Sequence, residues 1–275
     1  MMRLACLSLS YSRTFQQGRM NVWSFIDECR RLNLDGVDLN TANAFKSDDP
    51  AHLHEIKRRC LDRGLDIPCV SISNNFGQAP QALPAEIEMT KKWIRAAAYL
   101  GAPIVRVFAG NPPTEADRPA AWSRAVAASR QVAEFAEPLG VVVALQNHNH
   151  AALTRTGDDV LRFLREVDHP NYSHILDTGQ YAGSPGASGK TPDELKGTDF
   201  YRSISLTAPK ALLVRAKLYH VETGKETSLD YDRIFTTLRH VGFNGWVSLV
   251  YEGTEENVIA VEKGAAFLRR YLLAQ

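Results

Sequence analysis

VVVALQN (141–147), SHILD (173–177), LLVRAK (212–217) and WVSLVY (246–251) are short apolar runs, and a helix-like stretch follows each. Those stretches are GDDVLRFLREV (157–167), a shorter one near 198–208, YDRIFTTLRHVG (231–242) and ENVIAVEKGAAFLRRY (256–271). The same alternation runs back to the start of the chain. LACLSL (4–9) precedes VWSFIDECRRLN (22–33), and DGVDLN (35–40) precedes a polar helix around 49–63. DIPCVSI (66–72) precedes EIEMTKKWIRAAAYLG (86–101), and IVRVFAG (104–110) precedes AAWSRAVAASRQVAEFAEPLG (120–140). Eight β-then-α units predict a (β/α)8 barrel, because right-handed crossovers repeated eight times close a parallel sheet on itself.

Gly64, Gly101, Gly140 and Gly242 stand at helix-to-strand joints, where a helix C-terminus calls for a left-handed residue. The competing fold, an open doubly wound sheet, predicts a glycine fingerprint after the first strand. LSLSYSRTF (7–15) has none. With 275 residues, the chain is expected to form a single barrel domain over 1–275.

The composition is that of an ordinary globular protein, with 44% hydrophobic and 23% charged residues. A net charge of +1 argues against a nucleic-acid partner, which selects for a basic stripe. No apolar run is long enough for a membrane span, and the N-terminus lacks the apolar core of a signal peptide. Cys6, Cys29, Cys60 and Cys69 fall singly, without zinc spacing. A reduced, cytoplasmic protein is the expectation, and a homo-oligomer is compatible with it.

Barrels carry their chemistry at the C-terminal strand ends. Alternation along the strands puts Gln146 and His148 on the interior face, as it does Leu213, Arg215 and Lys217. Ser248, Val250 and Glu252 share a face of the last strand, and Asp177 lies at the mouth before Thr178-Gly179. The run GSPGASGKT (183–191) misses the phosphate-loop spacing by one residue and reads as a loop over the mouth.

ALQNHNH (144–150), HILDTGQY (174–181), LLVRAKLYH (212–220) and GWVSLVYEG (245–253) resemble the metal-binding segments of the sugar isomerase/epimerase, xylose isomerase-like barrel superfamily. CVSISNNFG (69–77), VRVFAG (105–110) and LDYDRIF (229–235) extend the resemblance over nearly the whole chain. It implies a Mn²⁺ or Mg²⁺ ion held by Glu, Asp, His and Glu, with the glutamates moving a proton beside a sugar carbonyl. At those positions this chain has Gln146, Asp177, Arg215 and Val250. An arginine cannot ligate a cation, and glutamine cannot take a proton.

The expectation is therefore an enzyme that acts on a small sugar without the usual metal, by isomerisation, epimerisation or elimination. In it Asp177 orients Arg215, Arg215 holds the substrate oxyanion, and His148 or Glu252 shuttles the proton. Gln146, Lys217, Arg106 and His220 are candidate substrate contacts. His150 falls past the strand end. Two alternatives accompany this reading. One is a sugar-binding barrel without turnover. The other is a displaced Mn²⁺ or Mg²⁺ site on Asp177, His148, His220 and Glu252.

Overall fold

The structure is a computed structural model and describes residues 2–149, 152–186, 191 and 193–273. Strands β1 (Arg3–Leu7), β2 (Gly36–Asn40), β3 (Asp66–Ser71) and β4 (Ile104–Val107) form the first half of the sheet. Strands β5 (Val142–Gln146), β6 (Tyr172–Asp177), β7 (Ala211–Leu218) and β8 (Trp246–Tyr251) complete it. The order is β1-β2-β3-β4-β5-β6-β7-β8 in a closed barrel, and each pairing is parallel, including β8 against β1.

Helices α1 (Ser12–Gln16), α2 (Val22–Arg31), α3 (Pro50–Arg63), α4 (Leu83–Leu100) and α5 (Arg118–Ala136) occupy the first half of the chain. Helices α6 (Gly157–Val167), α7 (Phe200–Thr207), α8 (Tyr231–His240) and α9 (Asn257–Leu273) occupy the second. Each strand is thus followed by a crossover helix, α2 to α9, as the alternation of the sequence predicts. The short α1 was not expected from the sequence. It continues a 3-10 turn at Ser8–Tyr11, where the apolar run of the first strand stops at Leu7.

Local chemistry fixes the helix ends. Asn21 and Thr156 form capping boxes on α2 and α6, and the Asp230 side chain accepts from the Arg233 amide at the start of α8. Gly64 and Gly101 end α3 and α4 at φ +63° and +80°, a conformation a Cβ would strain.

Two apolar layers hold the barrel. The outer one lies between the strands and the helix ring and includes Val37, Val105, Val143 and Leu249 against Phe25, Ile56, Ile94 and Leu268. The inner one plugs the N-terminal end with Cys69, Ile104, Ala144, Ile175 and Leu213, closed by Trp246. Above that plug the inner face turns polar, because Asp38, Ser71, Arg106, Gln146, Arg215 and Ser248 are all buried. Burying that many polar groups is tolerable only if they satisfy one another. This requirement shapes the site.

Candidate active site at the strand ends

Arg215 organises the polar layer. It is 1% exposed, and its partner Asp38, on the opposite side of the barrel, is 0% exposed. Arg215 Nη2 donates to Asp38 Oδ2 at 2.9 Å and to Ser71 Oγ, while Nη1 donates to Gln146 Oε1. Ser71 Oγ and Ser248 Oγ also donate to the Asp38 carboxylate, at 3.1 and 2.9 Å. Burial is the largest influence and disfavours the guanidinium charge, but Asp38, Cys69 and Asp177 together outweigh it and the Arg215 pKa rises above its ordinary value.

One level higher, Gln146 bridges to a second ionic group. Its Nε2 donates to Asp177 Oδ2 at 2.9 Å, and the same oxygen lies 3.5 Å from Lys217 Nζ. Lys217, 2% exposed, also reaches Glu252 Oε1 at 3.0 Å. The Gly179 amide donates to Asp177 Oδ1. A continuous chain thus crosses the barrel, from Ser248 through Asp38, Arg215, Gln146, Asp177 and Lys217 to Glu252. Its charges alternate in sign. Burial pushes the Asp177 carboxyl above its usual range; Lys217 opposes that shift and Glu252 adds to it. Glu252 Oε2 is buried and, among the described residues, has no hydrogen-bond partner.

Beside this chain a cavity of about 250 Å³ opens over the ends of β3, β4 and β5. Ser73, Asn111, Thr154, Gln146 and His148 line it, with Phe108 as its aromatic wall. Its frame is rigid because Asn74 and Phe108 exchange a reciprocal pair of 2.8 Å hydrogen bonds between side chain and backbone. Asn75 Oδ1 accepts from the Gly77 and Asn111 amides. The His148 ring meets Phe108 edge-on at 5.3 Å, and the Arg106 guanidinium packs over Phe108 at 4.0 Å. A larger groove of about 580 Å³ lies between the loop after β7 and helices α8 and α9.

Several expectations change on this geometry. Asp177 does not pair directly with Arg215; Asp38 does, and Gln146 stands between them. Both Arg215 Nη atoms are bonded to protein partners, and Arg215 is not among the residues that line the cavity. Nor is Arg106 among them: it donates to the Ile72 carbonyl, and burial together with Arg215 lowers its pKa to about 9. His220 lies past the end of β7 with its side chain 49% exposed, 3.8 Å from Glu222, and is not part of the mouth. The displaced set of Asp177, His148, His220 and Glu252 is therefore not assembled. Among the described residues no three His, Cys, Asp or Glu side chains are grouped to hold a metal. His150, and residues 187–190 of the GSPGASGKT loop, lie outside the described residues.

Asp38 was missed by the sequence reading, although Gly36, Asp38 and Asn40 alternate along an otherwise apolar strand. An aspartate on the inner face of such a strand calls for a buried cation. Asn111 and Thr154 carried no comparable signal, because loops bring them to the cavity.

No helix among the described residues is long and apolar enough to cross a membrane. No curated protein matches the chain. Solved structures do resemble it. A D-psicose 3-epimerase from Clostridium cellulolyticum H10 matches at TM-score 0.74 and 17% identity, covering 98% of this chain and 97% of the other. An L-ribulose 3-epimerase matches at 0.76 and 21%, covering 99% and 95%. The 3-keto-D-glucoside 4-epimerase YcjR from E. coli matches at 0.73 and 13%, covering 99% of each chain. At such identities the likeness shows the fold. The sequence model described as xylose isomerase-like TIM barrel matches residues 26–271, in agreement with the closed eight-stranded barrel, and the chain belongs to that family.

Proposed function

We propose that the chain is a sugar isomerase/epimerase-like enzyme that moves a proton next to the carbonyl of a small sugar or keto-sugar. The observation that carries this reading is the strand-end cavity. Its amide, hydroxyl and imidazole lining against an aromatic wall suits a polyhydroxylated ring. Gln146 links that lining directly to the buried ionic chain. The structural neighbours include enzymes named as epimerases of D-psicose, L-ribulose and a 3-keto-D-glucoside, which supports the substrate class.

His148 is the proton carrier of this proposal, since it lines the cavity and an imidazole can both give and take a proton. Glu252, with one oxygen unpaired, is the second. Gln146 and Asn111 bind hydroxyls. The remaining donors do not fit a divalent ion: Lys217 stands between Asp177 and Glu252, and Arg215 holds the carbonyl oxygen of Gln146. That donor set supports turnover without an added metal.

The test is exchange of carbon-bound hydrogen. A panel of ketoses in D₂O is followed by proton NMR, with chelator and separately with Mn²⁺ or Mg²⁺. Exchange that survives the chelator and is abolished by His148→Asn is the expected result. Saturable binding without exchange would establish a sugar-binding barrel without turnover. Exchange that requires the added ion would establish a displaced metal site.

A further inference from the structure

We propose that the Lys217 ammonium is the resident cation of the mouth, filling the position between Asp177 and Glu252 so that removal of its side chain opens a site for an exogenous cation. Register puts it there. Asp177 stands level with Arg215 in the backbone register of β6 and β7, and Lys217 lies two residues further up β7, opposite Val250 of β8. A carboxylate from β6 and one just past the end of β8 therefore converge on Lys217 of β7. Nζ sits 3.5 Å from Asp177 Oδ2 and 3.0 Å from Glu252 Oε1.

The lysine is held in place along its stem. A Cβ at Gly179 would fall 2.8 Å from Lys217 Cβ and 2.6 Å from its Cγ, so the glycine leaves room for the methylenes. Tyr231 Oη donates to the Lys217 carbonyl at 2.6 Å, and Thr178 Oγ1 accepts from its amide at 3.0 Å. A side chain 2% exposed with both carboxylates in reach behaves as a fixed charge, where a surface lysine would be a mobile one. Without Lys217 the buried Asp177 and the partly exposed Glu252 carboxylates would have no counter-charge between them. Glu252 Oε2, buried and unpaired, would offer a further oxygen there. Oxygen donors of this kind bind hard cations.

The proposal does not depend on the sugar reading, because its readout is cation binding. Mn²⁺ alone is titrated into the full chain and followed by electron paramagnetic resonance of the free ion. Wild type and Lys217→Arg are expected to bind Mn²⁺ at least roughly tenfold more weakly than Lys217→Ala. Lys217→Ala is expected to bind one Mn²⁺ per chain, and Lys217→Ala/Asp177→Asn to lose it. Propylammonium, a replacement for the missing stem and charge, should raise the Tm of Lys217→Ala above the value in matched sodium chloride and leave wild type unmoved. Lys217→Ala that takes up neither Mn²⁺ nor propylammonium overturns the proposal. So does stoichiometric Mn²⁺ on wild type that Asp177→Asn abolishes, a result that stands even if the alanine variant fails to fold.

Discussion

Replacing Arg215 by methionine tests the account of the polar layer most directly. The side chain is fully buried, and methionine keeps most of its length while deleting the charge. Asp38 would then keep only the Ser71 and Ser248 hydroxyls, and Gln146 Oε1 would lose its donor. Breaking one side of a buried ion pair typically costs about 3–5 kcal/mol. That is a large part of the roughly 5–15 kcal/mol that separates folded from unfolded protein. An exposed pair such as Arg58–Asp62, with side chains 70% and 48% exposed, contributes at most about 1 kcal/mol by contrast. Arg215→Met/Asp38→Asn removes both charges, so it should recover much of the loss. Urea unfolding followed by far-UV circular dichroism closes the double-mutant cycle. A loss below about 1 kcal/mol for Arg215→Met, or strict additivity of the two changes, would refute the reasoning.

Other consequences are as direct. Burial lowers the pKa of His174 to about 4, and its ring bonds the Leu145 carbonyl and the Tyr181 hydroxyl. The unfolded chain takes up that proton first, so the contribution is complete above about pH 6.5 and is lost as pH falls toward 4, by about 3 kcal/mol in all. Stability measured from pH 7 to pH 5 should fall less steeply in His174→Gln than in wild type. Gly110 lines the cavity at φ +90°, and a Cβ there would meet the Asn75 side chain and the amides of Phe76 and Gly77. Gly110→Ala should cost about 1–3 kcal/mol and weaken sugar binding, readable by thermal denaturation and calorimetry. Asn111→Ala should raise KM for the sugar several-fold with little change in kcat, and an unchanged KM would remove Asn111 from the substrate contacts.

Alternation of apolar runs and amphipathic stretches was enough to give the eight-fold repeat, because each local segment carries its own period. The same alternation gave the inner faces of β5, β7 and β8, and so put Gln146, His148, Arg215 and Lys217 inside the barrel. Which of them touch could not be read, since contact across a barrel depends on closure and strand stagger. Arg215 and Asp38 are 177 positions apart and meet because the sheet closes on itself. A reading by matching strand-end positions pairs Arg215 with Asp177. Three-dimensional register instead gives Asp177 to Lys217, with the Gln146 amide between the two ionic groups. The sequence by itself determined the barrel and put Gln146, Asp177, Arg215 and Val250 at its strand ends. Tertiary structure alone decided which cation neutralises which carboxylate, because buried charges pair by distance in space.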